Sequence, residues 1–360
     1  MTRADIHKKL SSWFREHRRH LPWRETDNWY HIWVSEVMLQ QTQVEQVMPY
    51  YLRFIKNFRT VRKLAAASRE NVLKSWEGLG YYSRARHLHE SAKIIVNEYN
   101  GHLPADKTIL QKLPGFGPYT TNAVLSLAFN KPYAVVDGNV KRVISRLFLI
   151  NDDMRKTAAH KKVQTVMDQL LPAGESRLFN EAVMELGALI CLPSNPHCGN
   201  CPLVSECLAR KKGLQDELPY LSKKARIPLI HAVSFIIKND TNYLLVKRPS
   251  GGMLAELWEF PAVKMPGSSM GKIPAEKQLF SRFGLNDRII KMWPVISHSY
   301  THFHLKLKPV LLLTEKKQIK LNGYSASRWL PLAAIKKFPL HRAMWKLLDM
   351  TEKDLITIPD

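Results

Sequence analysis

Cysteine is scarce in this 360-residue chain: there are four, all between residues 191 and 207. Scattered disulfides would not be confined in this way, and a reducing compartment would not keep them. Acidic residues are also short, with 31 Asp and Glu against 54 Lys and Arg and a formal net charge of +23. Such an excess favours a polyanionic partner, with plain solubility charge as the simpler alternative. No apolar run approaches the roughly 18–20 residues of a spanning helix. The opening stretch MTRADIHKKLSSWFREHRRHLPW is broken by charge throughout and does not read as a signal peptide. These absences lead us to expect a cytoplasmic protein with no membrane partner. Repeats at the periods of solenoids, about 20–50 residues, are also missing.

What is present divides the chain in two, as a length prior of about 150 residues per domain suggests. From residue 5 to about 210, apolar residues recur at three and four spacing between Pro and Gly breaks. Examples are IHKKLSSWF, HIWVSEVMLQQTQVEQVMPYYLRF, VRKLAAA, ENVLKSW and SRARHLHESAKIIVNEY. The expectation is an all-α domain over 1–210. The basic, Pro-containing stretch 211–228 reads as a linker. Short β-rich runs follow from 229 to 360: HAVSFIIK, YLLVKR, LWEFPAVK and HFHLKLKPVLLL, with AEKQLFSRFG as a helix, which predicts an α+β domain.

Three stretches carry chemistry. Cys191, Cys198, Cys201 and Cys207 are spaced C-x6-C-x2-C-x5-C, a loop of four thiols suited to structural zinc or an iron–sulfur cluster. Zinc would normally be marked by two C-x2-C knuckles, and this loop has one. In LPGFGPYT, Gly115 and Gly117 permit positive φ and close backbone approach, and Pro118 suits a first helical position. Backbone N–H groups and a helix N-terminus there would face an anion; an ordinary inter-helix turn is the plainer reading. Among carboxylates, Asp137 ends an apolar run and opens a basic helix, where N–H groups and positive charge keep it ionised. Glu36 has Ile32, Trp33 and Leu39 on its helical face, surroundings that raise a carboxyl pKa and favour a protonated acid.

The cysteine spacing resembles the 4Fe-4S loop of the endonuclease III superfamily of DNA glycosylases. LQKLP as a helix, the glycine loop and YTTNAVLSLAF similarly resemble that superfamily's helix-hairpin-helix. Together SEVMLQQTQV, GLGYYSRAR, LPGFGPYT, VDGNV and FNEAVMELGALIC resemble the MutY-type adenine DNA glycosylases over nearly the whole helical domain. The resemblance implies an enzyme that flips adenine from a mispair with 8-oxoguanine or guanine in double-stranded DNA and hydrolyses its glycosidic bond. It implies one 4Fe-4S cluster, a monovalent cation at the hairpin, and a monomer in a bacterial, nucleoid-associated setting. Glu36 would protonate the adenine ring and Asp137 stabilise, or briefly bond, the sugar cation. Tyr119 and Asn139 would orient that centre, while Trp23, Arg24 and Glu181 form the adenine pocket. Gln41, Thr42, Leu79, Tyr81, Gly115, Gly117 and Lys141 would meet DNA, with Tyr81 as a wedge. In superfamily members that cut the strand a lysine stands where Tyr119 stands, and a phenol cannot form a Schiff base. Lys141 could pair with Asp137 or attack an abasic aldehyde, or be a plain solvated lysine.

Residues from 229 resemble the MutT-type (Nudix) fold, without the glutamate pair that a hydrolytic member needs for magnesium. In the family a loop H-x-F-S-H reads 8-oxoguanine, and here it is HSYTH, which places that role on Tyr300, Thr301 and His302. Two rivals remain at this stage: a bifunctional pyrimidine glycosylase/lyase, and a DNA-binding or scaffold protein with a structural metal.

Overall fold

The structure, a computed structural model, describes residues 2–223 and 226–357. Residues 224 and 225 of the expected linker lie outside the described residues. The chain divides into two compact units, residues 1–66 with 87–224, and 67–86 with 225–360.

The helices up to residue 211 are α1 (Arg3–His17), α2 (Trp29–Leu39), α3 (Val44–Asn57), α4 (Val61–Ala66), α5 (Arg69–Trp76), α6 (Ser83–Glu98), α7 (Lys107–Leu110), α8 (Pro118–Phe129), α9 (Gly138–Leu147), α10 (Thr157–Leu170), α11 (Ser176–Leu189) and α12 (Leu208–Lys211). The run read as one helix over HIWVSEVMLQQTQVEQVMPYYLRF is two. Gln41 takes a left-handed φ of 58°, and Thr42 N–H bonds back to the Leu39 carbonyl, so α2 stops and α3 starts afresh at Val44. The helix before the glycine loop ends at Leu110, earlier than LQKLP suggested; Asp106 caps its start and turns follow it.

Apolar stripes of α1, α9, α10 and α11 make the main core of the first unit, from Ile6, Leu10 and Phe14 to Val140, Ile144, Val163, Phe179 and Leu186. A smaller cluster of Ile32, Ala123, Leu127 and Val135 sits between α2 and α8. α11 meets α9 closely at Gly187, where an added Cβ would stand 2.6 Å from Asn139 Cβ. Along α11 the carboxylate of Glu185 is fully buried. It is held by Arg19 through Nε (3.0 Å), Nη2 (2.8 Å) and backbone N–H (2.9 Å), and by Arg24 Nη2 (2.9 Å). Burial pushes this carboxyl up, but the two guanidinium groups outweigh it and hold the pKa at about 2.

The second unit is built on a mixed sheet of β1 (Leu229–Asn239), β2 (Asn242–Lys247), β3 (Trp258–Glu259), β4 (Ala262–Lys264), β5 (Ile289–Met292), β6 (Ile296–Ser299), β7 (His304–Leu313) and β8 (Ala326–Pro331). It carries α13 (Lys272–Phe283), α14 (Leu332–Ile335) and α15 (Arg342–Thr357). The order is β3-β2-β1-β7-β5, with β4 on β1, β6 on β7 and β8 on β2. β1 and β7 are parallel, in register from Leu229 opposite His304 to Lys238 opposite Leu313. Alternate residues of β1 enter two cores: Ile236 joins Met344, Leu347 and Leu348 of α15, and Phe235 joins Leu279 and Phe283 of α13. Coverage of both faces explains the near-continuous apolar run of that strand. LWEFPAVK, read as one strand, is β3 and β4, because Pro261 has no N–H to give a ladder.

Residues 67–86, expected in the helical domain, belong to this second unit. Lys74 Nζ donates to the carbonyls of Lys336 (2.7 Å) and Phe338 (3.1 Å), and Leu340 N–H donates to Glu77 Oε1 at 2.7 Å. No helix among the described residues is long and apolar enough to cross a membrane.

Truncating one member of a buried charge group strands its partners, at a cost of about 3–5 kcal/mol. Glu185→Ala is expected to lose stability of that order in denaturant titration, and a loss under about 1 kcal/mol would contradict the arrangement. Because the folded pKa of Glu185 is depressed from 4.5 to about 2, its contribution is present above pH 4.5 and is lost as pH falls towards 2.

Candidate active site

Most of the residues singled out in the helical domain come together around one cavity of the first unit, about 1010 Å³ in volume. Trp23 and Arg24 approach it from the segment between α1 and α2, and Glu36, Gln41 and Thr42 from α2 and its end. The hairpin contributes Gly115, Gly117 and Tyr119; α9 contributes Asn139 and Lys141 with Asp137 at its cap; α11 contributes Glu181.

Glu36 lies on the buried face of α2 and is 5% exposed. Tyr119 Oη donates to Glu36 Oε2 at 2.9 Å. Burial pushes the carboxyl up to about 7; the Tyr119 bond opposes this and the nearby Asp137 charge adds to it. Burial and the two carboxylates drive the phenol of Tyr119 well above its ordinary value, so it remains a donor. With Oε2 engaged, the acid proton of Glu36 belongs on Oε1.

Asp137 opens the basic helix α9 as expected, and it does so as its N-cap. Its Oδ1 accepts from Val140 N–H at 2.7 Å and its Oδ2 from Asn139 Nδ2 at 3.1 Å. Arg142, which the sequence reading missed, holds Asn139 Oδ1 through Nη2 at 2.8 Å. Burial leaves the Asp137 carboxyl above its ordinary value, and the Val140 bond, the Arg142 charge and the Asn139 bonds offset this only in part. The charge beside Asp137 is therefore Arg142 rather than Lys141, for which pairing was one expectation. Lys141 lines the cavity instead, near His160, whose imidazole is held below its usual range by burial and by the Lys141 charge.

The hairpin corrects one expectation. Gly115 takes φ +79°, and a Cβ there would stand 2.9 Å from His87 Cβ. Gly117 does not use left-handed space: it caps α8 at φ −68°, with nothing within 4 Å of an added Cβ. Pro118 is the first residue of α8, as expected.

On the far wall, Trp23 sets its ring edge-on to Tyr51, with centroids 5.0 Å apart. Arg24 binds the buried Glu185, and Glu181 lies 3.5 Å from Arg177 Nε. Burial raises the Glu181 carboxyl against the pull of Arg24 and Arg177. Arg19 and Glu185 line this wall as well and were missed. The signal was present: Glu185 stands four residues from Glu181 in an otherwise apolar run.

α9 continues from Asp137 to the cysteines. Arg142 Nε donates to the Cys191 carbonyl (2.6 Å), and the fully buried Arg146 donates to Cys191 Sγ (3.3 Å) and to the Leu192 (2.6 Å) and Pro193 (3.1 Å) carbonyls. All four cysteines are free thiols and half-buried, with Cys191, Cys201 and Cys207 against the main core. Burial pushes the Cys201 thiol up to about 12.

The remaining candidates lie in the second unit. Tyr81 takes φ 49°, and its Oη lies 2.7 Å from Thr301 Oγ1. Tyr300 is half-buried, whereas Thr301 and His302 are exposed. Leu79 is buried, 3% exposed.

Residues 34–169 match the HhH-GPD superfamily of base excision DNA repair proteins, and residues 232–350 match the NUDIX domain. The chain is 30% identical over 356 residues to the adenine DNA glycosylase of Buchnera aphidicola subsp. Acyrthosiphon pisum, covering 99% of this chain and all of that one. It is 34% identical to the adenine DNA glycosylase of Homo sapiens over 377 residues, 89% of this chain and 69% of the human protein. Among solved structures, a thermostable thymine-DNA glycosylase superposes with TM-score 0.53 at 30% identity, covering 58% of this chain and 97% of that one. A trapped endonuclease III–DNA covalent intermediate gives 0.50 at 26% identity, with 59% and 99% covered. Near-full-length similarity to the first of these relatives, with the matching helical and Nudix regions in order, shows that the chain belongs to the adenine DNA glycosylases.

Proposed function

We propose that this enzyme excises adenine opposite 8-oxoguanine or guanine from double-stranded DNA by acid-assisted hydrolysis, with Glu36 as the acid and Asp137 as the anion beside the sugar. The observation that carries this is the asymmetry between two carboxyl groups in one cavity. Glu36 has one phenolic donor in an apolar wall, and Asp137 has a helix-capping N–H, the Asn139 amide and the Arg142 charge. A single shared proton therefore resides on Glu36 and the negative charge on Asp137.

In the reaction, Glu36 gives its proton to an adenine ring nitrogen and the glycosidic C–N bond breaks with its electron pair leaving on the base. Asp137 stabilises the oxocarbenium ion that remains, and water then adds to the sugar and yields its proton to a carboxylate. Trp23, Arg24 and Glu181 surround the flipped base, and Arg19 belongs to the same wall. Tyr119 supports base removal without strand cleavage, since a phenol offers no amine for a Schiff base. Gln41 and Thr42, beside the left-handed break after α2, and the N–H groups of the hairpin at Gly115 and Gly117 meet the duplex. In the second unit Tyr81, Tyr300, Thr301 and His302 recognise the 8-oxoguanine.

Four half-buried thiols in the C-x6-C-x2-C-x5-C loop fit a 4Fe-4S cluster, which would cross-link the loop between the end of α11 and the start of α12. Cys191, Cys198, Cys201 and Cys207 would be its ligands, with Arg146 donating to the Cys191 sulfur.

Glu36→Gln is expected to abolish adenine release from an A:8-oxoguanine duplex while binding is retained, and turnover at the wild-type rate would refute the assignment. Because Glu36 acts protonated with a pKa of about 7, single-turnover rates should decline as pH rises through 7. The same group makes a stability prediction. Its raised pKa means that the folded state binds more protons than the unfolded state between pH 4.5 and about 7, so stability falls across that window. Glu36→Gln should therefore raise the thermal midpoint more at pH 8 than at pH 5. Purified protein should carry a yellow-brown absorption band with about four irons per chain, lost in Cys198→Ser; a colourless, zinc-loaded protein would overturn the cluster.

A further inference from the structure

The residue that departs most from the family loop is Tyr300, where the pattern H-x-F-S-H has phenylalanine. Its hydroxyl lies 3.2 Å from Nδ1 of His341, a side chain only 4% exposed. His341 Nε2 in turn lies 2.9 Å from Oε2 of Glu259, which is 5% exposed, and Arg248 Nη1 donates to Glu259 Oε1 at 2.8 Å. The direction of these bonds follows from the charge on Glu259. Glu259 as a carboxylate can only accept, so Nε2 carries the hydrogen; Nδ1, towards which Met344 N–H also points at 3.1 Å beside its 2.9 Å bond to the His341 carbonyl, is the acceptor nitrogen, and the Tyr300 hydroxyl donates. Burial opposes ionisation of Glu259, but the His341 bond and the Arg248 charge outweigh it and hold its carboxyl below the ordinary value. The result is a continuous relay from the half-buried Arg248 through the buried Glu259 and His341 to the Tyr300 ring.

The relay ends in the loop. Tyr300 stacks on Phe303 with centroids 4.7 Å apart, takes the His298 ring at 4.4 Å in an edge contact, and closes the turn through its N–H to the Phe303 carbonyl at 2.9 Å. The next residue, Thr301, is thereby held with its exposed hydroxyl 2.7 Å from Tyr81 Oη. Tyr81 is itself constrained, at φ 49° and with the Arg84 guanidinium 5.2 Å from its ring centre.

We propose that His341 and Glu259 are positioning residues for recognition of 8-oxoguanine, acting through the Tyr300 hydroxyl to hold Thr301 where it meets Tyr81. The inference rests on the reading of this loop as the 8-oxoguanine reader. A loop held ready before DNA arrives loses less freedom on binding, which favours the base that uses its hydroxyl. The hydroxyl of Tyr300, absent from the family pattern, ties the altered loop to a buried anchor.

The test compares single-turnover adenine release from A:8-oxoguanine and A:G duplexes by full-length protein, together with amide hydrogen exchange of residues 298–303 in the absence of DNA. Loss of one hydrogen bond to the anchor should cut the A:8-oxoguanine preference of Tyr300→Phe roughly two- to tenfold and speed exchange in the loop. A merely structural defect would lower both substrates alike. Glu259→Ala should reproduce the loss, Glu259→Gln, which keeps an acceptor for Nε2–H, should restore most of it, and adding Glu259→Ala to Tyr300→Phe should cost no further preference. Unchanged preference and exchange in Tyr300→Phe would overturn the relay, as would additive losses in the double variant. Thr301→Ala separates the two levels. If it lowers the preference while Tyr300→Phe does not, the relay fails and the loop still reads 8-oxoguanine. If neither lowers it, the reading of the loop fails and the relay's role fails with it.

Discussion

Two carboxyl groups face one cavity, and they cannot both hold negative charge there without cost. Everything around them serves to decide which one keeps the proton. Glu36 is placed on the buried face of α2, where its one strong partner is the Tyr119 phenol. Asp137 is placed at a helix cap with donors on both oxygens. An acid and an anion of similar intrinsic strength are thus separated by surroundings alone.

The helix that carries Asp137 also ties the site to the rest of the unit. Arg142 reaches from Asn139 to the carbonyls of Gly187 and Cys191, and one turn later Arg146 reaches the Cys191 sulfur and the two carbonyls after it. Gly187 lets α11 approach closely enough for this, since a methyl group there would collide with Asn139. The cysteine loop and the Asp137 cap therefore share α9 as a scaffold.

In the second unit a different arrangement performs a comparable task. A buried carboxylate, Glu259, is neutralised by the half-buried Arg248 and bonded to His341, which meets the Tyr300 hydroxyl. In each unit a buried carboxylate is paired with a guanidinium group, Glu185 with Arg19 and Arg24 and Glu259 with Arg248, because an isolated charge in a core would be far more costly.

By itself the sequence determined the helical and α+β domains, the adenine glycosylase resemblance, the four-cysteine loop, and Glu36 with Asp137 as the carboxylates to watch. The domains, the cysteine loop and the hairpin were legible because they rest on local quantities, namely the period of apolar residues, the spacing of cysteines, and glycine and proline at a helix start; Glu36 and Asp137 stood out through the resemblance of the motifs that hold them. The break at Gln41, the early end of α7, the negative φ of Gly117, and the grouping of residues 67–86 with the C-terminal unit were decided by the tertiary structure. So were Arg19, Arg142 and Glu185 in the cavity, and the relay under Tyr300. Each depends on a partner far away in the chain: Arg19 on Glu185, Arg142 on Gly187 and Cys191, Tyr300 on His341. Periodicity and spacing report what a residue prefers beside its neighbours. Only the folded chain decides which distant group completes its hydrogen bonds and neutralises its charge.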